Sequence, residues 1–379
     1  MSTDFIRQLD QIHDLSTPRS LSHRLHIDPI LMMVLFLFTS AGLLILYSAS
    51  GESMEVVSRQ ATYIALGFVA MVLIAQLPPL FMERLAPIVY FGSILLLIIV
   101  LVMGYDAKGA QRWISLPGFR FQPSEILKLV MPLTIAAWLC RKPLPPSVTD
   151  ILVTLALIGV PVVLILKQPD LGTSILIGAS GIFVLLLAGF QWQLMAGAAI
   201  LAVPAVWGMW NFVMLDYQKQ RVLTFLNPES DPWGAGWNII QSKIAIGSGG
   251  IDGKGWLMGT QSHLDFLPES HTDFIIAVLA EEFGLIGVLL LLAAYTLIIG
   301  RGIYITLQAQ NLFAKLIAGS LTLTFFVYIF VNIGMVSGLL PVVGVPLPLV
   351  SRGGTSVITL MAGLGVLMSV HTHRNFLGR

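Results

Sequence analysis

Apolar residues in this chain come in long unbroken runs, not in the alternation of a half-buried strand, and the runs are long enough to cross about 30 Å of hydrocarbon as helices. They fall at Ile30–Tyr47, Ala61–Leu77, Ala86–Met103, Pro123–Leu139, Ile151–Leu166, Leu171–Phe190, Leu194–Leu215, Asp273–Ile299, Leu312–Leu339 and Ser351–Val370. The pattern predicts an all-α polytopic membrane protein with ten transmembrane helices, and an even number of crossings puts both termini on one side. Between the seventh and eighth spans, over residues 216–272, glycines, charges and aromatics replace the apolar run, so this segment reads as a large extracytoplasmic loop. Within it Trp237, Ile240 and Ile244 share one helical face, which predicts a helix over Gly236–Ile246 lying along the membrane surface and ended by Gly247-Ser248-Gly249-Gly250. From Gly338 to Ser356 prolines and glycines are too dense for a continuous helix, which predicts a folded or re-entrant outer connection. The first 27 residues are polar. Phe5, Leu9 and Ile12 there have helical spacing, which fits a short surface helix as well as a disordered tail. No cleavable leader pattern precedes the first span.

Composition supports the membrane reading and changes little else. Of 379 residues 56% are hydrophobic and 11% charged, and the mean hydropathy is +0.85, far outside the soluble range. A net charge of +1 with no basic stripe gives no reason to expect a nucleic-acid partner. Cys140 alone excludes an internal disulfide framework or a cysteine metal cluster. Charge does set orientation: with a cytoplasmic N-terminus, the inner side collects Arg7, Arg19, Arg24, Arg84, Arg141, Lys142, Arg301, Lys315, Arg374 and Arg379. Both termini are therefore expected in the cytoplasm and the long loop outside.

Four stretches carry candidate chemistry, all on the outer side. Glu125 and Lys128 stand three apart at the start of the fourth span; charges inside a membrane segment cost roughly 2.5–3.5 kcal/mol each on insertion scales, so the pair is expected to line a polar cavity or form a structural ion pair. Before it, Lys108, Arg112 and Arg120 lie beside Gly109 and Trp113, a combination that suits an anionic amphiphile such as a lipid phosphate and equally an interfacial belt. Asp170 is placed to cap the sixth span. In the long loop Lys243 projects from the surface helix, and the glycines of Gly247–Gly255 are expected to offer backbone N–H groups to a phosphate. Gly253-Lys254 fails the nucleotide-loop pattern, having Ser248 where the first glycine belongs and Gly255 where Ser or Thr should bind magnesium. Asp273 precedes the apolar run from Phe274 and reads as a base at a helix mouth or as an N-cap. Glu281 and Glu282, two turns deeper, require a polar interior.

Several of these stretches, in this order, resemble the signature blocks of the SEDS family (shape, elongation, division and sporulation proteins), especially its elongation branch. They are Lys108-Gly109-Ala110-Gln111-Arg112-Trp113, Gln122-Pro123-Ser124-Glu125, Gln168-Pro169-Asp170-Leu171-Gly172-Thr173, His271-Thr272-Asp273-Phe274 and Pro346-Leu347-Pro348, with Ile239–Gly255 and His371-Thr372-His373-Arg374 in support. The resemblance implies a peptidoglycan glycosyltransferase that polymerises lipid II on the outer face of the bacterial cytoplasmic (inner) membrane during cell elongation, releasing undecaprenyl diphosphate. A class B penicillin-binding protein and other elongation-complex membrane proteins are the implied partners. The implied division is 1–27 as a cytoplasmic tail, 28–374 as the transmembrane transferase domain and 375–379 as a cytoplasmic end. One departure stands out: Arg352 occupies the position where the family usually has tyrosine.

On this reading Asp273 resembles the catalytic aspartate, deprotonating the acceptor hydroxyl. Lys108, Arg112, Lys243 or a divalent cation such as Mg or Mn would meet the departing diphosphate, and Glu125 with Lys128 would shape the substrate cavity. No residues are assigned to a cofactor. A lipid II flippase would use the same polar cavity but needs charges on both membrane sides, and a non-catalytic scaffold leaves Asp273 without purpose.

Overall fold

Asp28 opens the first membrane helix, α1 (Pro29–Ala49): its carboxylate accepts from the amides of Ile30 and Leu31, and Pro29 suits a first turn that lacks donors to satisfy. The computed structural model describes residues 25–107, 110–116, 119–189, 197, 200, 204, 207–214, 216–227, 235–263 and 269–373. After α1 come α2 (Met54–Ala75), α3 (Pro79–Met103), α4 (Pro123–Leu139), α5 (Val148–Lys167), α6 (Leu171–Leu187), α7 (Asp216–Leu226), α8 (Ala235–Gly249), a single turn α9 (Thr260–His263), α10 (Ile275–Gln308), α11 (Leu312–Val336) and α12 (Gly354–Thr372).

Among the described residues seven helices are long and apolar enough to cross a membrane: α1, α2, α3, α5, α10, α11 and α12. α4 and α6 have 17 residues each, about 25 Å of helix, and α4 is buried along most of its length. The described helices thus cover nine of the ten predicted spans. The predicted seventh span lies largely outside the described residues, which there include a five-residue π-helix, Met209–Val213. The polar tail before Leu25 is also outside them.

Position in the bundle follows the sequence of each helix. α11 and α12 are the interior elements, with 61% and 67% of their apolar windows buried, whereas α2, α3 and α10 bury 22%, 28% and 22%. α12 packs along α2, and α11 packs against α4, α6 and α10. The remaining faces are apolar and exposed, as at Phe91, Val102 and Leu290. In water such a surface would aggregate; in a bilayer it is the required solvent face.

The structure corrects the sequence reading in four places. The molecule is not purely helical: β1 (Tyr105–Ala107), β2 (Ala110–Leu116) and β3 (Phe119–Phe121) form a small antiparallel sheet in order β1-β2-β3 between α3 and α4. Second, the eighth predicted span is a broken helix. Gly284 within α10 has φ 62° and ψ −160°, a region essentially reserved for glycine, and the helix bends there. Third, α8 exists where predicted, but Ile239, Ser242 and Ala245 are its buried face, packed on α10 and α11, while Ile244 stays exposed. Fourth, the glycine segment after α8 does not offer its amides to a ligand. Gly253 N donates to Gly249 O, Lys254 N to Glu281 O and Gly255 N to Glu282 O, while Leu285 N and Ile286 N reach back to the carbonyls of Gly250 and Ile251. The amides expected for phosphate instead satisfy the backbone freed by the break in α10.

Candidate active site

The candidate site is built from the segment that leads into α10 and the non-helical connection between α11 and α12. Asp273 ends the first segment. The N-cap position of α10 is Phe274, one residue after Asp273, and the Phe274 side chain makes no capping bond. A Cβ built on Gly344, where φ is +74°, would lie 3.6 Å from Asp273 Oδ2, so the carboxylate faces the Gly344 turn. Asn332, fully buried on α11, holds the backbone on both sides: its Nδ2 donates to Asp273 O at 2.9 Å and to Val345 O at 2.7 Å.

The second segment is tied to the first residue by residue. Ser351 Oγ donates to Thr272 O and accepts from Leu347 N at 2.9 Å. Arg352 N donates to His271 O at 2.9 Å. From α2, Gln60 clasps the turn, its Nε2 donating to Ser351 O at 3.2 Å and its Oε1 accepting from Gly353 N at 3.1 Å. Tyr295 of α10 donates its hydroxyl proton to Pro348 O at 2.7 Å. Val345, Leu347, Leu349 and Val350 are buried beneath, and Gly42 lets α1 approach, since a Cβ there would be 3.3 Å from Leu349 O. Non-helical backbone at membrane depth is tolerated when its polar groups are satisfied in this way.

The other predicted residues distribute unequally around these two segments. Glu125 and Lys128 form a buried ion pair at 2.6 Å, with Thr359 Oγ1 donating to the second Glu125 oxygen at 3.3 Å and the ammonium 5.1 Å from the Tyr328 ring centroid. Tyr328 and Asn332 are four apart on α11, so the ion pair sits about one helical turn, roughly 6 Å, deeper than Asp273. Beside it is a small cavity of about 40 Å³, lined by Lys128, Tyr328, Thr322, Thr324 and leucines of α4, α11 and α12. Lys243 is exposed on α8 and lies over Gly338, two residues past α11; a Cβ there would be 2.7 Å from its Nζ.

Arg112 goes elsewhere. From β2 its guanidinium donates to the carbonyls of Gln168 (3.0 Å) and Pro169 and stands 3.7 Å from Asp170. Asp170 caps α6 through Thr173 N at 3.2 Å and accepts from Gln122 Nε2 at 3.1 Å. Three of the sequence blocks therefore close on one another as a clamp, and Gly172 lets Val343 O of the α11–α12 connection come close, 2.7 Å from a Cβ built there. Lys108 lies outside the described residues. Glu281 and Glu282 find the polar interior they require: Glu281 accepts from Lys254 Nζ at 2.6 Å, Thr260 N at 2.8 Å and Gln261 N at 3.1 Å, and Glu282 accepts from Ser48 Oγ.

Sequence reading gave no role to Asn332, Gln60, Tyr328 or Ser351. The available signal was the same for the first three: a polar side chain in an otherwise apolar span. Among the described residues no three of His, Cys, Asp and Glu gather as a metal-binding group, so a divalent ion beside Asp273 would draw most of its ligands from phosphate oxygens, the usual arrangement for magnesium.

The family model for cell cycle proteins named for FtsW, RodA and SpoVE matches residues 26–376. The peptidoglycan glycosyltransferase MrdB of Escherichia coli K12 is 53% identical over 356 residues, covering 94% of this chain and 96% of that protein. A probable peptidoglycan glycosyltransferase FtsW of Geobacter metallireducens is 35% identical, covering 91% and 94%. Among solved structures, the crystal structure of the Thermus thermophilus rod shape determining protein RodA superposes with a TM-score of 0.70 at 28% identity, covering 94% of this chain and all of that one. A chain from a study of how a peptidoglycan synthase complex coordinates polymerization and crosslinking superposes at 0.81 with 32% identity, covering 91% and 97%.

Proposed function

This chain belongs to the FtsW/RodA/SpoVE family of cell cycle proteins, a multi-pass membrane family; it is a peptidoglycan glycosyltransferase, and we propose that Asp273 is its catalytic base. The observation that carries the proposal is the placement of that carboxylate: it stands one residue before the N-cap of α10 and faces the Gly344 turn, and its backbone is fixed by Asn332. The 4-hydroxyl of the acceptor sugar attacks the anomeric carbon of a lipid-linked donor, the C–O bond to the diphosphate breaks with its electron pair, and the hydroxyl proton passes to Asp273. A base placed for that step contributes on the order of 10²–10⁴-fold. The leaving diphosphate takes no proton, so a second catalytic carboxylate is not needed, and Glu125 with Lys128 serves to keep the inner wall of the site polar. The lipid tail lies against apolar helix faces, holding the reacting ends in register.

The chain crosses the bacterial cytoplasmic (inner) membrane ten times with both termini inside. Residues 1–27 form a cytoplasmic tail, 28–374 the transferase domain, with 216–272 as its outer loop, and 375–379 a cytoplasmic end. Lipid II is the substrate and undecaprenyl diphosphate the product, made on the outer face during cell elongation. A class B penicillin-binding protein is the partner, a reading supported by the likeness to a chain of a peptidoglycan synthase complex; other elongation-complex membrane proteins join it. Lys243, over Gly338 just past α11, is a substrate contact, as is Lys108.

The test is glycan polymerisation from lipid II by the purified protein, alone and with the transpeptidase, comparing wild type with Asp273→Asn at equal folded amounts. Loss of polymer in the well-folded variant is expected. Undiminished polymer would remove Asp273 as the base.

A further inference from the structure

On the side taken as outer, Arg59, Lys128, Lys254 and Arg112 are paired with Glu55, Glu125, Glu281 and Asp170, and Lys167 and Lys243 are exposed. Arg352 is a further cation on this side, and it is half-buried. Its Nη1 lies 3.3 Å from His271 Nε2, and among the described residues no carboxylate comes within ion-pair distance of its guanidinium.

Its position makes this arrangement costly without a ligand. Gln60, which holds the backbone on both sides of Arg352, is six residues into α2, about 9 Å along the helix from its outer end. An ionised group at such depth is stabilised by a partner or by a water-filled cavity, and by default it marks a site. The side chain is half-buried, and its main chain is locked to His271, two residues before Asp273. A planar fork of donors so placed matches the oxygens of a phosphate bidentately.

We propose that Arg352 is a catalytic residue that binds the diphosphate of the lipid-linked donor beside Asp273. The inference rests on the glycosyl-transfer reading above and supplies the cation that reading leaves open, since Arg112 is engaged in the clamp with Asp170. When the anomeric C–O bond breaks, the diphosphate goes from two ionised positions to three, and Arg352 meets the added charge as it forms. His271 Nε2 orients the fork.

The experiment measures binding of undecaprenyl diphosphate in detergent micelles to the full-length protein, with undecaprenol as the uncharged control. The Asp273→Asn background is used so that no turnover is involved. Arg352→Gln is expected to weaken diphosphate binding about 10–100-fold, the range for one charge-assisted bidentate contact, with undecaprenol binding unchanged. Arg352→Lys should recover part of the loss, and in polymerisation assays Arg352→Gln should lower kcat as well as raise KM. Equal diphosphate binding by Arg352→Gln and its parent overturns the proposal, and leaves Asp273 as base untouched. Conversely, full polymerisation by Asp273→Asn removes the base while the binding result stands. If Arg352→Gln does not fold, the salt dependence of binding to the parent decides. Diphosphate affinity that falls with ionic strength, while undecaprenol affinity does not, supports a cationic contact, and Arg352→Lys must then reduce affinity; salt-independent affinity, or an unchanged Arg352→Lys, overturns it.

Discussion

Asp170 and Asp273 occupy the same kind of place. Each follows a short polar motif, each stands where the chain turns from the outer surface into a membrane helix, and each precedes an apolar run. Their surroundings differ. The Asp170 carboxylate caps α6, accepts from Gln122 and lies beside Arg112, which itself grips two carbonyls of the same turn. At Asp273 it is the backbone that is held, through Asn332, while the N-cap position of α10 is Phe274, one residue later. One aspartate is tied into the fold through its carboxylate; the other has its main chain fixed by Asn332 and its carboxylate facing the Gly344 turn.

The largest effect that tests this contrast is on activity. Asp273→Asn is expected to lower lipid II polymerisation on the order of 10²–10⁴-fold with unchanged thermal stability in detergent, whereas Asp170→Asn should retain most of the activity; equal losses from the two would break the comparison. Next comes the support beneath Asp273. Gly284→Ala places a Cβ 2.4 Å from Gly253 N and forces a forbidden backbone region, so a loss of roughly 3 kcal/mol is expected, read as a lower unfolding temperature, with polymerisation falling in step. Asn332→Ala removes the two bonds that hold Asp273 and Val345. It should reduce kcat roughly tenfold, more than it affects KM, because misplacing the base harms the transition state rather than binding. The smallest effect falls on the clamp: Asp170→Ala should cost about 1 kcal/mol of stability through the lost cap, and Asp170→Ser should restore most of it.

Much of the fold was legible because hydrocarbon thickness acts as a ruler. Pro123–Leu139 is predicted and observed with the same bounds, and the other described spans start or end within a few residues of their apolar runs, α2 and α3 starting a full turn or more earlier. The break in α10 was not legible, since Gly284 lies in an apolar run and its conformation is stabilised by Gly250–Gly255, some thirty residues upstream. The sheet was missed because strands of three residues carry too few positions to show an alternation. Within the site, Asp273 and the Glu125/Lys128 pair announced themselves as charges beside apolar sequence. Arg112 announced itself in the same way but is spent on Gln168–Asp170, a partner set 56 to 58 positions away that local spacing cannot show. Asn332 and Gln60 gave a real signal, a lone amide in a span, whose meaning depends on which backbone lies opposite.

Glu281 and Glu282 bear on how the chain enters the bilayer as it is synthesised. Two adjacent carboxylates two turns into α10 add roughly 5–7 kcal/mol to the insertion of that segment on translocon scales. Four groups that donate to them, Ser48, Lys254, Thr260 and Gln261, precede α10 in the chain. When this helix leaves the ribosome these donors are therefore already made, and Ser48 is already in the membrane. The order of the sequence lets the most charged of the long helices be received by its own earlier neighbours.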